Sequence, residues 1–191
     1  MEIFLIRHTV TVAEKGYCYG QTDLDLQLPY LDVFQKIKGY LQINEDTLIY
    51  SSPLRRCVEM AHFLSPNAIF DDRIKELNFG LWENLKWDSI DHEISMKWMN
   101  DFVNEAPPEG ESFQALADRV NGFIDEIVSN ASFSNRKVVI VAHAGVIRAL
   151  ICAFLGIPLV NAFRLSIDFG SISCIAVQNG YASLQFSNKI L

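Results

Sequence analysis

Apolar residues along this chain fall into short unbroken runs and longer stretches with a helical repeat, and the two patterns predict different elements. Glu2–Ile6, Thr47–Tyr50 and Lys137–Ala142 are short apolar runs that read as buried strands. Each leads into polar residues: Arg7-His8, Ser51-Ser52-Pro53 and His143-Ala144-Gly145. Helical spacing covers Tyr30–Leu41, Pro53–Leu64 and Val146–Leu155, with Ser52 expected to cap the second of these and Pro53 to start it. A further helix is expected after Ser112 as cap, with Phe113, Leu116, Ala117, Val120, Phe123, Ile124, Ile127 and Val128 on one face. Ile172–Gln178 and Tyr181–Phe186 flank Asn179-Gly180, the pair that a type I′ hairpin turn favours. Strands alternating with helices imply parallel crossovers, and the terminal hairpin adds an antiparallel pair. The expected fold is an α/β sandwich with a mixed, mostly parallel sheet. Ala106–Glu111 reads as a turn-rich loop inside a single domain spanning 1–191.

Composition narrows the function classes. The chain has 191 residues, half of them hydrophobic, which suffices for one packed core. Twenty-three acids against sixteen Lys and Arg give a net charge of -7, so a nucleic-acid partner is not expected. Cys18, Cys57, Cys152 and Cys174 are widely spaced and form no metal-binding pair, which suits reduced thiols in a cytoplasmic protein. Glu2, Arg7 and His8 interrupt the apolar stretch that an export signal requires. The apolar region Val146–Val160 is short for a membrane span and contains Arg148 and Pro158, so no membrane is expected either.

In open α/β sheets ligands sit beyond the carboxyl ends of the strands, where Arg7, His8 and His143 are expected. Arg56, early in the predicted second helix, can reach the same edge. Two arginines and two histidines converging beside a helix N-terminus suit an oxyanion, because guanidinium forks match phosphate oxygens bidentately. Taken singly, each has a plain structural reading; their shared edge is what favours chemistry.

Five ordered blocks carry a resemblance. Leu5-Ile6-Arg7-His8-Thr9, Ser51-Ser52-Pro53-Leu54-Arg55-Arg56, Glu76-Leu77-Asn78-Phe79-Gly80-Leu81-Trp82-Glu83, Pro107-Pro108-Glu109-Gly110-Glu111-Ser112 and Val141-Ala142-His143-Ala144-Gly145-Val146-Ile147-Arg148 resemble the signature of the histidine phosphatase superfamily, the phosphoglycerate-mutase-like phosphatases. The resemblance implies a three-layer sandwich with helices on both sheet faces and a small helical lid at about 82–111. It implies His8 as nucleophile, forming a phosphohistidine, with Arg7, Arg56 and His143 holding the phosphoryl oxygens. It implies Glu76 as proton donor and then as base toward water, a role helped by a pKa that nearby phosphate raises. No metal and no cofactor are implied. Arg55 is expected to face outward from the helix.

Three departures from the family pattern stand out. Thr9 replaces a usual glycine and adds a hydroxyl that could touch phosphate. Ala144 replaces another glycine but keeps its backbone N–H as a substrate contact, and the usual Glu-x-x-x-Asn pattern is absent from Val10–Lys15. Gly16-Tyr17-Cys18-Tyr19-Gly20-Gln21-Thr22-Asp23-Leu24 resembles the loop of α-ribazole 5′-phosphate phosphatases of cobalamin biosynthesis and would present Gln21 and Thr22 to substrate. The plain alternative is that Gly16 and Gly20 shape a turn while Tyr17 and Tyr19 cover the core. His62 and His92 lie outside the blocks and read as structural or solvent-facing, while Trp82 is open between core and substrate contact.

The expected partner is a small phosphomonoester, with a homodimer left open. A phosphoglycerate mutase is the second enzyme reading, disfavoured because only a short stretch separates Trp82 from Pro107. A broad-specificity sugar phosphatase and a non-catalytic phospho-ligand-binding protein complete the alternatives.

Overall fold

A computed structural model describes residues 1–133 and 136–191. The strands are β1 (Glu2–Arg7), β2 (Leu48–Ser51), β3 (Ile69–Phe70), β4 (Lys137–Ala142), β5 (Ile172–Gln178) and β6 (Tyr181–Lys189). Among the described residues they form one six-stranded sheet in the order β3-β2-β4-β1-β5-β6. The first four positions are parallel, and the hairpin β5–β6 joins antiparallel to β1. Its turn has the expected backbone, with φ of 53° at Asn179 and 77° at Gly180.

The helices are α1 (Leu31–Leu41), α2 (Arg55–Leu64), α3 (His92–Asn100), α4 (Phe113–Ser129) and α5 (Ala144–Leu155). Because side chains alternate across a strand, each buried strand feeds two cores. Ile3 and Leu5 of β1, with Val138 and Ile140 of β4, pack under α4 and α5. Phe4 and Ile6, with Val139 and Val141, pack under α1 and α2. Ile3, Leu5 and Ile6 are fully buried, and burial of such a side chain contributes about 1.5–3 kcal/mol. The result is the expected three-layer sandwich.

Some boundaries differ from expectation. The second helix begins at Arg55, because Leu54 is extended at φ -69°, ψ 134°. Ser52 therefore does not cap that helix. Its Oγ accepts from the Leu54 N–H at 3.3 Å, while Asp23 Oδ1 takes the Arg55 N–H at 2.7 Å. The last helix starts at Ala144, two residues before its apolar repeat becomes legible. β3 has only two residues, both exposed, and so leaves no periodic signal. Ser112 does cap α4, accepting from Ala115 N–H at 3.2 Å.

Between Glu76 and α4 the chain runs through short 3-10 turns and α3. Trp82, Cys18 and Ile90 form a small separate core there, flanked by Phe79 and Trp98. Among the described residues no helix is long and apolar enough to cross a membrane.

Candidate active site

Strand register assembles the site. Arg7 pairs with Ala142 across the parallel β1–β4 ladder, and Val141 pairs with Ser51 across β4–β2. The next residue on each strand, His8, His143 and Ser52, therefore emerges at one carboxyl edge. The ladder continues one step further, with His8 N–H donating to Ala142 O at 3.2 Å and Ser52 N–H donating to Val141 O at 3.0 Å. The two imidazole centroids end 5.2 Å apart.

Hydrogen bonding sets the protonation pattern of the rings. His8 Nδ1 lies 2.7 Å from Thr9 O. A carbonyl only accepts, so Nδ1 carries the proton and Nε2 keeps its lone pair. Burial, then the positive charges of Arg56 and Arg7, hold the His8 pKa well below its usual range, so the ring is neutral. His143 is likewise depressed by burial, Arg56 and His8. Arg56 Nε donates to His143 Nδ1 at 3.3 Å, while His143 Nε2 lies 2.8 Å from Ser52 Oγ. A serine hydroxyl either donates or accepts, so His143 can move its proton to Nδ1 and keep this anchor, giving up the bond from Arg56 Nε.

Arg56 is fully buried at the start of α2. Its Nη1 donates to Thr22 O at 2.8 Å and its Nη2 to Gly20 O at 2.6 Å. Arg7 donates from Nη1 to Ile167 O at 2.7 Å, with Cζ 3.5 Å from the Phe169 ring centroid, and its Nε is buried without a partner. Burial lowers the Arg7 pKa. Among the described residues, Arg7, Arg56 and Arg148 have no carboxylate at ion-pair distance, whereas Arg73 and Arg119 do. Arg56 is buried and the other two half-buried, and cations drawn out of water yet left unpaired in this way mark an anion site.

The Glu76 carboxylate reaches the same edge from the far side. Its Oε2 accepts from Gly145 N–H at 3.2 Å in the first turn of α5, and Oε1 accepts from Leu77 N–H at 3.0 Å. A Cβ at position 145 would collide with Glu76 Oε1, so glycine permits the approach. Glu76 interacts electrostatically with both Arg7 and Arg148.

The remaining expected site residues are more structural than their motifs suggest. Gln21 Nε2 donates to Glu76 O at 2.9 Å, and Gln21 N–H to Glu83 Oε1 at 2.8 Å. Thr22 gives both its N–H and its hydroxyl to Glu83 Oε2, at 2.6 and 2.5 Å. Thr9 is buried with an unpartnered Oγ1, and Ala144 is buried as the first residue of α5. Arg55 is exposed, paired with Asp25 at 2.6 Å. His62 and His92 are solvent-facing on α2 and α3. Trp82 is core.

Two residues at this edge carried no catalytic or binding role in the sequence. Arg148, one turn into α5, donates from Nε to Leu165 O at 3.0 Å. Tyr19 hydrogen-bonds Arg7, and its ring centroid lies 5.4 Å from Arg56 Cζ. Arg148 stood inside a motif block, but only the fold brings its charge beside Arg7. Cys57 Sγ is 3.6 Å from His143 Nε2, yet burial pushes its thiol pKa upward and leaves it a poor nucleophile.

The histidine phosphatase superfamily (branch 1) model matches residues 3–190. The adenosylcobalamin/alpha-ribazole phosphatase of Escherichia coli (strain K12) is 30% identical, covering 99% of this chain and 96% of that one. Phosphoserine phosphatase 1 of Hydrogenobacter thermophilus is 32% identical over 93% of this chain and 87% of its own. The crystal structure of the alpha-ribazole phosphatase from Shigella flexneri superposes with a TM-score of 0.88 at 27% identity, covering 99% of this chain and 96% of that one. A neutral histidine and an acid converge with unpaired arginines at one sheet edge, and the family match runs almost end to end: the chain belongs to the histidine phosphatase superfamily and is a phosphatase enzyme.

Proposed function

We propose that the enzyme hydrolyses a small phosphomonoester through a phosphohistidine on His8. The observation that carries this reading is the 2.7 Å contact between His8 Nδ1 and Thr9 O, which leaves Nε2 free of a proton beside two unpaired guanidiniums. Nε2 attacks phosphorus while Glu76 gives its proton to the departing oxygen. Glu76, now a carboxylate, takes a proton from the water that cleaves the phosphorus–nitrogen bond, and phosphate leaves. Arg7, with its unpartnered Nε, and Arg56 bind the equatorial oxygens throughout, and His143 donates from Nδ1 once Arg56 Nε has left it for a phosphoryl oxygen and Ser52 has turned its hydroxyl toward Nε2. Thr9 Oγ1 and the Ala144 N–H are the further expected phosphate contacts.

For the leaving group, the 16–24 loop and the 30% identical relative support α-ribazole 5′-phosphate, whose hydrolysis to α-ribazole would be a step of cobalamin biosynthesis. Four free, buried cysteines suit a cytoplasmic location. A second reading rests on Arg148: a third unpaired guanidinium beside the phosphate site would pair with a carboxylate on the substrate, as in phosphoserine. Steady-state turnover of α-ribazole 5′-phosphate and phosphoserine by wild type and Arg148→Ala separates the two. The α-ribazole reading expects the higher kcat/KM for the nucleotide and little change on removing Arg148. A preference for phosphoserine that vanishes in Arg148→Ala would replace it with the carboxylate reading.

A further inference from the structure

Glu76 sits on a stretch of coil, Glu76–Phe79, that belongs to neither sheet nor helix. A proton donor on coil has no ladder to hold it, so side chains must fix its backbone. Arg119, on the second turn of α4, does this with every donor it has. Nη1 donates to Arg73 O at 2.7 Å and Lys75 O at 2.8 Å, and Nη2 to Glu76 O at 3.0 Å. Its two other N–H groups form a fork on Glu111, Nη2 to Oε1 at 2.6 Å and Nε to Oε2 at 3.0 Å. Glu111 Oε1 in turn accepts the Asn78 N–H at 2.9 Å. The pair thus pins the chain on both sides of Glu76. It is anchored to α4, whose Phe113, Leu116, Ala117 and Val120 are buried in the core.

We propose that Arg119 and Glu111 are positioning residues for the proton donor, setting the Glu76 carboxylate against the departing oxygen. The proposal rests on Glu76 being that donor. A lysine offers three donors and no planar fork, so it cannot reproduce five bonds in fixed directions. Small displacements of a catalytic group are costly when the reacting geometry is tight.

The test compares kcat/KM, which reports phosphoryl transfer to the enzyme, for an alkyl phosphomonoester and p-nitrophenyl phosphate. The alkoxide needs a proton to leave and the nitrophenolate does not. Arg119→Lys and Glu111→Gln are expected to lower the alkyl value about tenfold and change the aryl value by less than about twofold. Glu76→Gln should show the same selectivity more strongly. Equal losses on both substrates, with or without a collapse in Tm, or no loss on either, would overturn the positioning role. If Glu76→Gln lowers both equally or neither, the proton-donor reading itself fails; if it is selective and the other two variants are not, only the positioning role falls.

Discussion

The two halves of the site are held in different ways. His8, His143 and Ser52 follow directly from β1, β4 and β2, so backbone ladders fix their origins and side-chain bonds only orient their rings. Glu76 has no such ladder and depends on Arg119, Glu111 and Gln21, which reach it from α4 and two loops. The first half is buried, so a histidine can be kept neutral at a cost the core supplies. The second half lies on coil whose position is set by an ion pair and amide donors. In the proposed mechanism, chemistry on phosphorus is therefore built into the sheet, while proton transfer is built onto a tethered loop.

The difference can be broken from either side. His8→Asn should lower kcat by roughly 10⁴-fold or more while Tm changes little, since the other neutral imidazole there, His143, has its unprotonated nitrogen engaged by Arg56 Nε. Arg56→Lys should lower kcat/KM about 10²-fold, because the lysine cannot serve Gly20, Thr22 and phosphate at once.

Acidification separates the halves by pH window. His8 and His143 have folded pKa values below the unfolded value near 6.5, so below that pH the unfolded chain binds more protons and stability falls. Each contributes a slope of about 1.4 kcal/mol per pH unit until it protonates in the folded state. Asp71, which caps the turn before Glu76, has its pKa lowered mainly by the hydrogen bond from Arg73. Its contribution is present above its ordinary 3.8 and is lost only as pH falls below that. Denaturant midpoints from pH 7.5 to 3 should show the histidine decline first, and His143→Gln should flatten it.

The smallest expected effect is at Ser52. Ser52→Ala removes the anchor of His143 Nε2 and should cost about 1 kcal/mol of stability, with a loss in kcat on the order of tenfold. An unchanged kcat would mean that Arg56 alone orients the ring.

Legibility in the sequence follows the same division. Arg7, His8, His143 and the parallel core were readable because β-branched runs end at them, and strand ends share an edge in an α/β sheet. Arg56 was readable from its place after Ser52-Pro53, although the helix starts later than those residues suggest. The support of Glu76 was not, because Arg119 lies 43 residues away along the chain and its five donors meet mostly backbone carbonyls, which carry no sequence signal. Gln21 and Thr22 were singled out by their loop motif as substrate contacts, but their bonds to Glu76 and Glu83 are set by tertiary packing. The two-residue β3 and the extended Leu54 left no pattern to read.

The central claim is that His8 Nε2 takes the phosphoryl group. Rapid quench into base during turnover of a ³²P-labelled phosphomonoester, followed by peptide mapping, tests it directly. The account predicts an acid-labile phosphohistidine at His8, carried on Nε2 and absent from His8→Asn. Label at another residue, label on Nδ1, or equal labelling of wild type and His8→Asn would contradict it.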